Sequence, residues 1–455
     1  MGVFVSDQVV IPLVDEGLGN SSYLVDLGDG RALAVDPSRD VRSLRRAAAR
    51  HRLTVAFAAD THLHADYLTG ACQLAADDAA TIVASAAGHR TFDHRGVRDG
   101  DEIDLGGLRL RAMTTPGHTD EHVSFLLLDD DRPLGVFTGG SLIVGAAART
   151  DLVDPTRTEE LARAQYESLQ RLLTLPDETA VWPTHGAGSF CSAPPGTDRV
   201  STIGRERAAN PLLQLPGEEA FAAALIGSLG TYPPYFARLG EINRHGPEVL
   251  TAAPGLTPLP LDRVLRMRAA GAAVVDVRAI QRYAAGHIPG SLSIELREVF
   301  ATWLGWLVPF EAAVVIVRDP DQDTSEIAWQ AAKVGYTLAG ELAGGFPAWV
   351  AADQPIATTP LVRPVDLTGT HVVDIRQASE YAAAHIPGAD NVELGVLTVR
   401  PEAVRGPAVL MCGHGERAMS AASLLERAGG GPASVLLGGP ADWARVHERH
   451  LASGT

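Results

Sequence analysis

"VVDVRAIQRYAAGHIPGSLSIEL" (274–296) returns as "VVDIRQASEYAAAHIPGADNVEL" (372–394), and that return decides how the chain is divided. Asp276 and Asp374, His287 and His385, and Pro289 and Pro387 are each 98 residues apart. "GGFPAW" (344–349) is likewise answered by "GGPADW" (438–443). A period of that length is too long for a solenoid and suits two tandem α/β domains. Apolar runs such as "AAVVIV" and "PAVLM" alternate with helical stretches, which predicts buried parallel strands. The expected domains are 1–250, 260–354 and 362–455, with the proline-rich "TAAPGLTPLP" (251–260) as a linker.

In the second copy, "VLMCGHGERAMSAASLLERAG" sets Cys412 at the end of an apolar strand and Arg417 at the start of a helix. Gly413 and Gly415 let successive amides turn inward, forming an anion nest at the helix N-terminus. His414 and Glu416 complete the predicted substrate-binding loop. A thiol in that place is lowered toward thiolate by the helix dipole and the nearby guanidinium, and becomes a nucleophile. The bland alternative is a buried structural cysteine. The first copy reads "VVIVRDPDQDTSEIAW", with Val317 near the cysteine position and no thiol in the domain. Asp319, Asp321 and Asp323 would repel an anion there. A catalytically silent copy, acting as spacer or interface, is expected.

The chain of 455 residues is 46% hydrophobic and 20% charged, which suits a globular protein of about three domains. Its net charge of −17 argues against nucleic acid and anionic membranes as partners. No signal peptide or membrane span is evident, and the three cysteines lie far apart. A reducing cytoplasm is the expected location. Assembly into a homo-oligomer is also expected.

The first 250 residues repeat another theme, an apolar strand that ends in a polar loop carrying histidine. "SSYLVDLGDGRALAVDP" reads as a hairpin around an Asp-Gly turn, and "VRSLRRAAARHRL" as a helix. "TVAFAAD" then leads into "THLHADYLTG" (61–70), where His62, His64 and Asp66 have metal-ligand spacing and Tyr67 follows. "LRLRAMTTPGHT" delivers His118, "PLGVFTGGSLIVG" is expected to cross a glycine pair as a strand, and "TAVWPTHGAG" delivers His185. Strand ends are where a sheet can aim several ligands at one point.

The loop around Cys412, with the "D-[VI]-R…HIPG" stretches, resembles rhodanese. The four histidine loops, in their order, resemble the metallo-β-lactamase fold. Nearly the whole chain, including "HGAGSFC" and "STIGRERAANPLL…PPYFARLGEINRHGP", resembles proteins that fuse a persulfide dioxygenase domain to a silent and an active rhodanese domain. The fold this implies is α/β: a metallo-β-lactamase αββα sandwich followed by two rhodanese-like α/β/α domains.

That resemblance implies one Fe(II) on His62, His118 and an aspartate from a "TGD" pattern, a triad suited to oxygen chemistry. This chain has Gly140 at the aspartate position, which deletes the only anionic ligand. Tyr67 stands where a second metal would find a histidine, and its hydroxyl would orient substrate or bond Asp66. The donors then on offer are His62, His64, His118, His185 and Asp66. A neutral three-histidine site of His62, His64 and His118 would suit zinc, with Asp66 or Asp120 as substitute carboxylates, or no metal would bind. Cys191 would lie near the pocket mouth, as a second sulfur carrier or as an inert thiol. Cys72 reads as packing.

The implied function is sulfane-sulfur metabolism on a low-molecular-weight thiol persulfide or thiosulfate. Sulfur would move through a Cys412 persulfide, with the N-terminal domain oxidising the persulfide to sulfite and thiosulfate forming where the two meet. The alternative keeps the sulfurtransferase and makes the lactamase-like domain a zinc-bound or metal-free hydrolase or binding module. A non-enzymatic sulfur relay or scaffold is a third reading.

Overall fold

The computed structural model describes residues 10–192 and 196–454. The chain forms two compact units, one drawn mainly from residues up to Ala252 and the other from Ala253 onward.

The first unit is a four-layer sandwich. One six-stranded sheet takes its strands in sequence order, Val10–Asp15, Asn20–Asp26, Arg31–Val35, Thr54–Asp60, Thr81–Ser85 and Arg95–Val97. The Asp-Gly hairpin is present, with Tyr23 opposite Val35 and Asp26 opposite Ala32. The second six-stranded sheet runs Ser201–Thr202, Ala180–Pro183, Arg132–Gly139, Val123–Asp129, Leu108–Thr114, Glu102–Asp104. Alternation in these strands sends Tyr23, Val25, Leu33 and Val35 against Phe125, Leu127, Phe137 and Trp182 to make the central core.

Helices cover the outer faces because the same strands are apolar on both sides. Leu44, Ala47 and Ala48 of helix Arg42–His51 pack on Leu24, Ala32, Ala34 and Val55. Leu169 and Leu172 of helix Thr158–Leu172 cover Leu126, Leu128 and Val136 on the other sheet.

Strands Leu108–Thr114, Arg132–Gly139 and Ala180–Pro183 run the same way, since the first two are each antiparallel to Val123–Asp129 and the last two pair in parallel. Arg31–Val35 and Thr54–Asp60 are parallel as well. Their C-terminal ends carry Thr115, Gly140, Thr184, Asp36 and Thr61, so the polar loops gather at one edge. The expected strand across the glycine pair is corrected: it stops at Gly139, whose φ is +54°. A Cβ there would stand 2.4 Å from Thr61 Oγ1 and 2.5 Å from His122 Nε2, so only glycine fits the turn.

The second unit holds the two repeats as two five-stranded sheets with all pairs parallel. Strand order matches between them, Pro258–Leu259, Leu338–Leu342, Val314–Val317, Ala273–Asp276, Leu292–Ser293 against Leu361–Val362, Ala433–Leu436, Ala408–Met411, Val372–Asp374, Asp390–Asn391. The repeated Asp-x-Arg is a structural brace. Asp276 accepts the guanidinium of Arg278, which also donates to the Gly286 carbonyl, and Asp374, Arg376 and Ala384 repeat the arrangement. The repeated His stacks on a tyrosine four residues earlier, His287 on Tyr283 and His385 on Tyr381, with ring centroids 3.8 Å apart in both. Among the described residues no helix is long and apolar enough to cross a membrane.

Candidate functional site

Five buried histidines meet at the edge of the sandwich. The ring of His62 lies 4.1 Å from His64, 4.9 Å from His118, 5.1 Å from His122 and 5.3 Å from His185, centroid to centroid. His62 Nε2 and His185 Nε2 are 3.3 Å apart. Ligand atoms of His62, His118 and His185 all lie within 4.8 Å of one another. Two further donor sets converge, Asp36 with His62 and His64, and Asp66 with His185 and Cys191. Burial, then repulsion from neighbouring imidazoles, holds His62 well below the ordinary histidine range and brings His118 and His185 to about 3. Neutral imidazole is the form that binds metal.

His64 has been drawn aside. Its Nε2 is 3.3 Å from Asp36 Oδ1 and 3.1 Å from the Tyr67 hydroxyl. Burial opposes a charge on His64, but Asp36, with Asp60 and Asp66 behind it, outweighs that and raises it. Burial would likewise raise Asp36. The charge on His64 and hydrogen bonds from His64, Thr184 and the Thr61 amide hold it below the usual carboxylate range instead. Tyr67 is 2% exposed and donates to the Asp36 carbonyl, so its expected bond to Asp66 is corrected and it has no open face for substrate.

Asp66 sits behind His185, its Oδ2 accepting from Asn20 Nδ2 at 2.7 Å and lying 3.6 Å from His185 Nδ1. Asp120 is away from the cluster, on the surface, paired with Arg157 at 2.9 Å. Cys191 is 0% exposed rather than at a mouth, and burial pushes its thiol far up. Cys72 is half-buried in helix Ala71–Asp78, its thiol pushed up to about 11 by burial.

The space beside Gly140 is filled by His118. A Cβ at position 140 would stand 2.3 Å from His118 Cδ2 and 3.0 Å from its Nε2. An aspartate therefore has no room there while His118 keeps its place, and the triad the resemblance implies, His62, His118 and a carboxylate at position 140, does not form. His122 was missed by the sequence reading. Its Nε2 accepts from the Gly140 amide at 3.0 Å, and its position four residues after His118 was the only signal. Asn20 and Asp36 were missed too, since neither sits in a histidine motif.

The cysteine loop follows the buried strand Ala408–Met411 and enters helix Glu416–Arg427. Gly415 caps that helix with φ +118°, and its amide donates to Cys412 Sγ at 3.1 Å. Any Cβ on Gly415 would stand 2.9 Å from Ile280 Cδ1. Cys412 is 1% exposed, on the floor of the loop, while Gly413 is half-buried and His414 exposed. Gly439 of the second "GG" lies so close that a Cβ would stand 2.4 Å from the Gly413 carbonyl oxygen. Arg417 is paired on both nitrogens with Glu380, at 2.7 and 2.8 Å, and its guanidinium lies 5.9 Å from the Trp303 ring centroid. The expected free cation is thus compensated by a carboxylate that sequence reading missed. A signal existed, because the first copy has Arg282 at the position 98 residues before Glu380.

The first copy is one residue out from its expected reading. Asp276 pairs with Val317 as Asp374 pairs with Met411, so Arg318, not Val317, answers Cys412. Arg318 bonds Glu341 and donates from Nη1 to the carbonyls of Asp319, Pro320 and Gln322 at 3.0, 3.3 and 3.2 Å. Its loop carbonyls face a cation. This copy also braces the second one. Ser420 donates to the Ser293 carbonyl at 2.6 Å, the Ser293 amide to Ser423 at 3.1 Å, and the Gly290 amide to Glu426 at 2.8 Å.

Comparison with known proteins agrees with both halves. Residues 261–352 and 359–445 each match the rhodanese-like domain family. The chain is 30% identical over 207 residues, covering 44% of this chain and 73% of the relative, to persulfide dioxygenase ETHE1, mitochondrial, of Homo sapiens. It is 33% identical over 182 residues to a hydroxyacylglutathione hydrolase of Methylococcus capsulatus, over 38% of this chain and 64% of that one. Among solved structures, a metallo-β-lactamase from Staphylococcus aureus subsp. aureus COL superposes with a TM-score of 0.63 at 29% identity, covering 73% of this chain and 98% of that one. With its αββα sandwich and its gathered histidine loops, followed by two rhodanese-like domains, the chain belongs to the metallo-β-lactamase-fold persulfide dioxygenase family.

Proposed function

We propose that this protein is a sulfane-sulfur enzyme that moves sulfur through a persulfide on Cys412. One observation carries the reading: a glycine-built loop at a helix N-terminus aims the Gly415 amide at Cys412 Sγ from 3.1 Å. The Cys412 thiolate attacks the outer sulfur of a low-molecular-weight thiol persulfide, R–S–S⁻. The S–S bond breaks, R–S⁻ departs with the electron pair, and Cys412–S–S⁻ remains. The Gly415 N–H and the helix dipole stabilise the anion before and after transfer. An acceptor such as sulfite then attacks the outer sulfur, giving thiosulfate and freeing the Cys412 thiolate. Arg417 orients the loop, with Glu380 fixing the guanidinium against it.

For the N-terminal domain, family membership supports oxidation of the thiol persulfide to sulfite, which the shared chain would hold at high effective concentration near Cys412. A second reading, transfer without oxidation over a zinc-bound or metal-free domain, is favoured by Gly140 and by the His118 ring in the space an aspartate would need. Oxygen uptake on a thiol persulfide, measured with iron-loaded and iron-free protein, separates the two. Iron-dependent uptake supports oxidation, and its absence leaves transfer alone. Cys412→Ser abolishes thiosulfate:cyanide sulfur transfer under either reading; transfer that survives it refutes the nucleophile.

A further inference from the structure

The hydrogen bonds around the histidine cluster fix where each imidazole proton sits. His118 Nδ1 is 2.7 Å from the Arg149 carbonyl oxygen, which can only accept, so Nδ1 carries the hydrogen. Asn20 gives its amide N–H to Asp66, leaving its oxygen to accept from His185 Nδ1 at 2.9 Å. Thr61 gives its hydroxyl hydrogen to Asp36 at 2.7 Å, so its oxygen accepts from His62 Nδ1 at 2.9 Å. All three rings therefore turn a bare Nε2 lone pair inward. Two of those lone pairs face each other across 3.3 Å with no hydrogen between them. Buried opposed acceptors are costly unless a cation stands between them.

Of the other two histidines, His122 has both nitrogens engaged, while His64 engages Nε2 and leaves a buried Nδ1 without a hydrogen-bond partner. His122 Nε2 accepts from the Gly140 amide. The Tyr67 hydroxyl donates to the Asp36 carbonyl and so accepts from His64 Nε2, which carries a hydrogen and is turned to Asp36.

We infer that the N-terminal domain holds one divalent cation of the zinc type on Nε2 of His62, His118 and His185, with His185 replacing the carboxylate lost at Gly140. Two nitrogens bonded at about 2.0–2.1 Å to one tetrahedral ion stand about 3.3–3.4 Å apart, which is the His62–His185 separation. The hydrogen-bonded Nδ1 of each ring is the outer support that metal-binding histidines require. Tyr67 offers no donor to a second metal, its hydroxyl being engaged by the Asp36 carbonyl and His64. This ligand set does not depend on the role of Cys412, and its test reads no sulfur transfer.

Metal-free full-length protein is titrated with Co(II) and, separately, Zn(II). Expected are one equivalent of either metal per chain and a cobalt visible spectrum of four-coordinate intensity. His185→Ala and His118→Ala each weaken cobalt binding by at least about a hundred-fold, whereas His64→Ala, equally buried, changes it by less than about three-fold. Long-range ¹H–¹⁵N spectra of the metal-free wild type should show His62, His118 and His185 as Nδ1–H tautomers, which decides the matter if a variant fails to fold. Two equivalents of metal, unchanged binding in His185→Ala, or Nε2–H tautomers at these rings would overturn the assignment.

Discussion

The two repeats of the C-terminal unit share strand order, the Asp-x-Arg brace and the His-on-Tyr stack, yet their central loops have opposite polarity. Around Cys412 an amide hydrogen points at the sulfur. Around Arg318 three carbonyl oxygens point at a guanidinium. A scaffold that keeps its shape is thus compatible with either sign of guest, and the residue at the strand end decides which way the loop peptides face. The first copy has a structural part to play, because it holds Glu426, Ser423 and Ser420 of the helix that presents Cys412.

The sharpest way to break this comparison is to install the thiol where the silent copy lacks it. Arg318→Cys is expected to show no sulfur transfer in a Cys412→Ser background, because carbonyls would face the sulfur. It also leaves Glu341 and three carbonyls without their cation, and urea unfolding should report a loss of about 3 kcal/mol. Transfer by that double variant would show that loop polarity is irrelevant. In the active copy, Gly415→Ala forces a side chain onto φ +118° and toward Ile280. Steady-state transfer should fall by about ten- to a hundred-fold, with about 1–2 kcal/mol lost from stability.

The smallest effect concerns Glu380. Burial raises its carboxyl, but the Arg417 hydrogen bonds and charge outweigh that and hold it below the usual range. A carboxyl depressed in the folded state contributes stability above its unfolded value, and that contribution is lost as pH falls through the folded one. Glu380→Gln should therefore cost about 0.5–1 kcal/mol near neutral pH, the half-exposed pair being screened, and nothing in acid. Equal losses at pH 7 and below the carboxylate range would mean that the pair is not electrostatic.

Much of this was legible in sequence because it repeats or alternates. The 98-residue echo set the two domains, and strand alternation with histidine-bearing ends set the sandwich and its functional edge. What escaped depends on contacts between distant segments. Arg318 was misplaced by one because only the pairing of Asp276 with Val317 fixes the register. Glu380 was passed over because its contrast with Arg282 of the first copy does not say that a guanidinium 37 residues later will reach it. In the proposed ligand set His185 takes the place expected of His64, whose Nε2 is turned to Asp36 on another strand. Cys191 was placed at a mouth, and the folded chain buries it.

The most direct measurement is peptide mass spectrometry of the full chain after brief exposure to a thiol persulfide. One added sulfur on the peptide containing Cys412, removed by sulfite with release of thiosulfate, is the expected result. Sulfur found on Cys72 or Cys191 with Cys412 unmodified would contradict the claim that the Gly415 amide and the helix beneath it make that thiol the carrier.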